Sequence, residues 1–273
     1  AIQQAEKNCF SVGLTSVHDA GLGFQTVKLI DSLYKAESLK IRINTWLSPS
    51  KDNFTHFVEK GPYQTDYISI NTVKLFADGA LGSRGARMIE AYSDDLDNLG
   101  LFVNPLEKLE EDCRKAYEHD FMVATHAIGD AANREMLNIY AGILGGPNDR
   151  RWRIEHAQNI HPDDFKMFGQ FNIVPSVQPT HATSDMYWAG ERLGPERLKG
   201  AYAFRQLMEE NGWLVNGTDF PVEKIYPLHT FYAAVARKDL AGWPEGGFQP
   251  ENALTREEAL KSITIWAAMG AFE

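Results

Sequence analysis

Three short runs of this chain each stop on a residue able to ligate a cation. RWRIEHAQNI (151–160) sets Glu155 and His156 after an alternating Trp152 and Ile154, FMVATHAIGD (121–130) delivers Thr125 and His126, and GWLVNGTDFP (212–221) delivers Thr218 and Asp219. Imidazole nitrogen and ionised carboxylate oxygen together are the donors that zinc or a similar divalent ion takes. Each residue also has a plainer reading. His126, after Val123 and Ala124, could be a core histidine bonded to a carbonyl; His156 could be half of a surface ion pair with Glu155; Asp219 could be a turn residue. Position favours ligation, because all three fall where a β-rich run stops, and barrel enzymes build their active sites at such strand ends.

Lys74 is a fourth candidate. In NTVKLFADG (71–79) the alternation puts Val73, Leu75 and Ala77 on one face and Thr72, Lys74, Phe76 and Asp78 on the other. Such a lysine either snorkels toward water or sits desolvated near metal charge with its pKa lowered. A neutral lysine can add carbon dioxide and become a carbamate that bridges two metals.

The elements that would position these residues alternate along the chain. GLTSVHDAG (13–21) precedes a helical pattern with Val27, Ile30, Leu33 and Tyr34 on one face, and LKIRINTWL (39–47) and ISINTVKLFADG (68–79) follow. FMVATHAIGD leads into AANREMLNIYAGIL, RWRIEHA precedes the helical PDDFKMFGQ, and FNIVPSVQP (171–179) and GWLVNGTDFP flank PERLKGAYAFRQLMEEN (195–211), the helical stretch between them. The last segment, TREEALKSITIWAAMGAFE (255–273), also reads as one helix, with capping-box spacing between Thr255 and Glu258. Seven strand candidates alternating with helices are the pattern of parallel βαβ units, and no linker-like tract interrupts them, so residues 1–273 read as one domain. The stretch GWPEGGFQPEN (242–252) reads as a surface loop. No phosphate-cradling glycine motif follows any strand, which favours a (β/α) barrel over a doubly wound nucleotide-binding sheet.

Bulk properties narrow the partners. The 273 residues carry 37 acidic against 27 basic side chains, a net charge of −10 that disfavours nucleic acid. No run approaches the roughly 18 apolar residues of a membrane helix. Cys9 and Cys113 stand in no metal-ligand spacing and are expected as small apolar groups in a reducing compartment. The first residues, AIQQAEKNCF, show no basic region followed by an apolar stretch, and the cytoplasm is the compartment expected.

Six segments in order, GLTSVHDAG, VKLFADGALGSRGA (73–86), THAIGDAAN (125–133), RIEHAQ (153–158), PSVQPTHATSDMYWA (175–189) and NGTDFPVE (216–223), resemble the amidohydrolase superfamily. The closer similarity is to amidohydrolase family 3, the branch with N-substituted formamide deformylase-like proteins. That resemblance implies a distorted (β/α)8 TIM-type barrel carrying one or two divalent metals, usually zinc. It implies Lys74 as the strand-4 lysine, carboxylated when it bridges metals, His126 and His156 as ligands from strands 5 and 6, and Asp219 as both ligand and general base. The loops DGALGSR and QPTH look pocket-shaping, which makes Asp78, Arg84 and His181 candidates for substrate contact. The implied reaction is hydrolysis of an amide or other non-peptide C–N bond in a small molecule, with ester or lactone hydrolysis, or a non-catalytic barrel used as a binding module, as the alternatives.

The chain departs from the family pattern at its start. No two of the eight histidines are two residues apart, so the family's His-x-His pair on the first strand is missing, and GLTSVHDAG matches the second strand. The expectation is an internal piece of a longer protein with about seven barrel strands and without the accessory β-sandwich. Such a piece would hold metal weakly or not at all, would leave Lys74 an unmodified amine, and could pair its open strand edges in a homodimer. Trp46, Tyr187 and Trp188 hint at a partly apolar substrate, or are packing residues.

Overall fold

β-branched and aromatic residues alternate in the seven runs described above, and a strand forms in each of them. The structure, a computed structural model, describes residues 1–273, which group into two compact units. The first comprises Ala1–Leu75 with Glu107–Ala124, and the second comprises Phe76–Leu106 with Thr125–Glu273.

The first unit runs through α1 (Ile2–Ser11), β1 (Ser16–Leu22), α2 (Phe24–Lys35), β2 (Arg42–Leu47), α3 (Lys51–His56), the stub β3 (Tyr63–Gln64), nearly all of β4 (Ile68–Phe76) and α4 (Leu106–Glu118). β5 (Met122–Ala127) begins in this unit and ends in the second. β1 pairs parallel with β2, from Ser16 opposite Arg42 to Leu22 opposite Leu47, and β2 pairs parallel with β4. β3 adds to β4 in the antiparallel sense. β4 is buried on both faces through Ile68, Ile70, Val73 and Leu75, as a sheet covered on two sides requires. Each fully buried aliphatic side chain of this kind contributes about 1.5–3 kcal/mol. Val27 and Ile30 of α2 and Leu109, Cys113 and Ala116 of α4 complete the apolar interior. Cys113 is the packed small residue expected, whereas Cys9 is only partly buried. α1 has no counterpart in the sequence reading, and none of its residues is fully buried. Its Glu6 instead accepts the backbone N–H groups of Lys40 and Ile41.

The second unit continues through α5 (Asp130–Leu144), β6 (Arg153–His156), α6 (Phe165–Gln170), β7 (Val174–Val177), α7 (Pro179–Asp185), α8 (Ala189–Leu198), α9 (Phe204–Asn211), β8 (Val215–Asn216), α10 (Pro227–Ala236), α11 (Arg256–Ser262) and α12 (Ile265–Gly270). β6 pairs parallel with β7, and β7 with β8. Trp152 is fully buried with its ring edge-on to Tyr140, 4.9 Å away, so α5 lies over β6.

Two expected helices break. Residues 195–211 divide into the end of α8 and α9, with Gly194 at φ 71° before Pro195 and a non-helical stretch over 199–203. A Cβ on Gly200 would sit 2.2 Å from the Ile160 carbonyl, so the chain turns there to pass close to another backbone. Residues 255–273 divide at Ile263 and Thr264, where Thr264 takes φ −128° and ψ −98°. The capping box at their start is present, with Thr255 and Glu258 each accepting the other's backbone N–H. No helix is long and apolar enough to cross a membrane.

Candidate metal centre

β6 ends abruptly because His156, at φ 75°, and Ala157, at φ 41°, both take left-handed backbone. Asp219 after β8 does the same at φ 53°. Such a conformation costs a non-glycine residue about 1–2 kcal/mol. It recurs where surroundings hold a residue for function. The ligating atoms of His156, His181 and Asp219 all lie within 4.8 Å of one another. His181, expected as a substrate contact, lies within this cluster. It comes from the first turn of α7, with its Nε2 3.8 Å from Asp219 Oδ2.

The donor set fits a divalent cation. His181 Nε2 is buried and makes no hydrogen bond, an orphaned polar atom of the kind a bound ion would satisfy. Burial pushes the His181 imidazole down to about 4, which keeps it neutral as a ligand must be. Gln178, the residue before α7, accepts a hydrogen bond from His156 Nδ1 at 2.7 Å, and this places the ring's lone pair on Nε2. Two imidazoles and a carboxylate with an outer hydrogen bond of this kind suit zinc or a neighbouring transition metal.

His126 stands beside this group. Its ring centroid is 4.5 Å from that of His156, edge to face, while its Nε2 lies 3.5 Å from Asp78 Oδ1 and 3.4 Å from the Gly79 carbonyl. Asp78 is buried and accepts backbone N–H groups from Arg87 at 2.9 Å, Ile128 at 3.0 Å and Gly129 at 2.8 Å. Burial pushes its carboxyl up to about 7 against the opposing pull of those N–H groups. Asp78 thus clamps the start of the long 77–105 connection onto the residues after β5. Arg84 pairs with Asp94 at 2.9 Å, and Arg192 of α8 reaches the same carboxylate, so this loop is also tied to α8.

Lys74 lies on β4 in the first unit, buried with 4% of its surface exposed. Trp46 is buried in the same unit with its ring 5.0 Å from His18. Tyr187 is exposed and stacks on Trp243 at 5.0 Å, and Trp188 packs against Gly82. Gln178 closes the FNIVPSVQ run, and the sequence gives it no role, since its bond to His156 spans 22 residues. Gln158 and Asp185 lie within RIEHAQ and PSVQPTHATSDMYWA with no role read for them there, and Tyr202 left no signal in the sequence.

Parallel strands alternating with helices, with imidazole and carboxylate donors gathered just beyond strand ends, define the class of barrel-type metal-dependent hydrolases. A profile of the Amidohydrolase family matches residues 1–271, and the chain belongs to that family. It is 36% identical over 291 residues to Protein LONG AFTER FAR-RED 3 of Arabidopsis thaliana, a match covering 100% of this chain and 49% of that protein. It is 31% identical over 277 residues to the putative amidohydrolase YtcJ of Bacillus subtilis, covering 98% of this chain and 51% of that protein. Among solved structures, an uncharacterized metal-dependent hydrolase from Pyrococcus furiosus superposes with a TM-score of 0.88 at 29% identity, over 99% of this chain and 55% of that one. Its counterpart from Pyrococcus horikoshii gives 0.89 at 30% identity. The fold is accordingly the α/β barrel type of these hydrolases, incomplete at seven parallel strands. The chain spans about half the length of the curated relatives it matches.

Proposed function

We propose that this chain forms the ligand-bearing barrel portion of a metal-dependent hydrolase that cleaves an amide or another non-peptide C–N bond in a small molecule. The observation that carries the reading is the convergence of His156, His181 and Asp219 on one point, with His181 Nε2 left without a hydrogen bond. His156, His181 and Asp219 would hold the ion, with His126 packed against His156. Zinc is the ion proposed. A divalent ion there supplies a Lewis acid that polarises a carbonyl and brings the pKa of water down to about 7.

The residues do the rest. Asp219 is the most exposed of the group, so its carboxylate can take a proton from the attacking water and pass it to the departing amine. His181, held neutral by burial, lies 3.8 Å from that carboxylate and would share the ion with it. Asp78 and Arg84 serve the substrate through the loop they anchor, with Asp78 fixing its start and Arg84 its far side. The test is metal content by elemental analysis on protein purified without chelator and then titrated with zinc. Zinc taken up in the titration, and no longer taken up in His156→Ala and in His181→Ala, is expected. Zinc that binds equally well in both variants would place the site elsewhere.

A further inference from the structure

α7 carries His181 but has only seven residues, too few to hold its own orientation. Two hydrogen-bonded clasps tie it to the segment that follows β6. At its N-terminal end, Gln178 accepts from His156 Nδ1 at 2.7 Å. At its C-terminal end, Tyr202 donates its hydroxyl to Asp185 Oδ2 at 2.8 Å, and Gln158 donates its amide both to that hydroxyl, at 3.0 Å, and to Asp185 Oδ2, at 3.4 Å. The Tyr202 backbone N–H closes the loop on the Gln158 carbonyl at 2.7 Å. Gln158 stands two residues after His156, and Asp185 stands four after His181, on the same face of α7.

We propose that Asp185, Tyr202 and Gln158 are positioning residues that set the spacing between His156 and His181, the two imidazoles of the metal centre proposed above, on whose reading this inference rests. The polar groups are buried where apolar ones would pack without desolvation. Tyr202 is 1% exposed and Gln158 is 4% exposed. Burial also pushes the Asp185 carboxyl up to about 6. Tyr202 takes left-handed backbone at φ 52° to bring its hydroxyl there. A network kept at such cost fixes geometry rather than adding stability. Its two arms act on one short helix, with His181 between them.

The test is cobalt(II) titration of the chain, followed by the visible absorption of the bound ion, which reports ligand geometry. Tyr202→Phe keeps the ring and removes both hydroxyl bonds; Asp185→Leu removes the acceptor; Asp185→Asn keeps an oxygen for Tyr202. Tyr202→Phe and Asp185→Leu are expected to weaken cobalt binding about tenfold, the lower end of what outer hydrogen bonds to metal ligands contribute. Both should change the absorption band, while Asp185→Asn stays near the parent. Parent affinity and band in Tyr202→Phe and Asp185→Leu would overturn the proposal. If Asp185→Leu fails to fold, Tyr202→Phe against Asp185→Asn decides. If the parent chain binds no cobalt, the metal reading fails, and the clasps are judged separately by the imidazole resonances of the metal-free chain. In that case Tyr202→Phe must shift both His156 and His181, and movement of neither ring overturns the inference.

Discussion

Gly129→Ala tests whether the loop bearing Asp78 is locked to the end of β5 as tightly as the distances say. Gly129 has φ −72°, so an alanine meets no backbone restriction of its own. The obstacle is space, because a Cβ there would lie 2.0 Å from the Arg87 carbonyl oxygen, 2.5 Å from its carbon and 2.7 Å from its nitrogen. Relief needs a displacement on the order of 1 Å, and the backbone at Arg87 cannot yield freely. Its N–H is held by Asp78 at 2.9 Å, the N–H of Ile89 is held by Asp130 at 2.8 Å, and the N–H groups of Ala131 and Ala132 both point at the Arg87 carbonyl, at 3.2 and 3.3 Å. Losing two such bonds costs about 2 kcal/mol at the usual ~1 kcal/mol each. Overpacking adds about 1–3 kcal/mol. The sum of about 3–5 kcal/mol corresponds to a fall in Tm of about 5–9 °C for 273 residues at an unfolding entropy of about 2.1 cal/mol/K per residue. Thermal unfolding followed by circular dichroism reads it directly. A Tm within about 2 °C of the parent would show that Arg87 moves at little cost, and the picture of a rigid clamp beside His126 would be wrong.

Two further outcomes follow from single contacts. Gln178→Leu removes the acceptor for His156 Nδ1 and should lower zinc affinity about ten- to hundredfold in a competition titration with a chromophoric chelator; unchanged affinity would mean that Gln178 does not orient the ring. Glu258 pairs with both terminal nitrogens of Arg205, at 2.7 and 2.9 Å, and that guanidinium holds its carboxyl down at about 2, below an ordinary value of 4.5. A depressed acid contributes stability that is present above 4.5 and fades as pH falls toward 2. Glu258→Gln should therefore destabilise by about 1 kcal/mol at neutral pH, after discounting for solvent screening. The gap should narrow below pH 4.5, and a gap constant from pH 7 to 3 would contradict the pairing.

Much of the fold was legible because burial imposes a period on the chain. The strands over Ser16–Leu22, Arg42–Leu47, Ile68–Phe76 and Met122–Ala127 lie inside or overlap the runs chosen by alternation, and α2 and α5 follow their apolar stripes. β8 is only two residues long and was found from its turn residues as much as from its pattern. The errors have one cause. The break between α8 and α9 arises from Gly200 approaching Ile160, and the break before α12 from the backbone at Thr264, neither of which changes the helical spacing of apolar residues.

The sequence by itself determined which residue types stand at the strand ends, and so placed His126, His156 and Asp219 in view, because a strand's period and its terminating residues are local properties of the chain. Tertiary structure decided which of them converge. It brought His181 beside His156 and Asp219, set His126 against Asp78 and Gly79, and joined Gln178 to His156, Tyr202 to Asp185 and Gln158 to Tyr202 through bonds spanning 22, 17 and 44 residues. Contacts of that span exist only after the chain has closed those loops, and no periodicity along the sequence records which partners will meet.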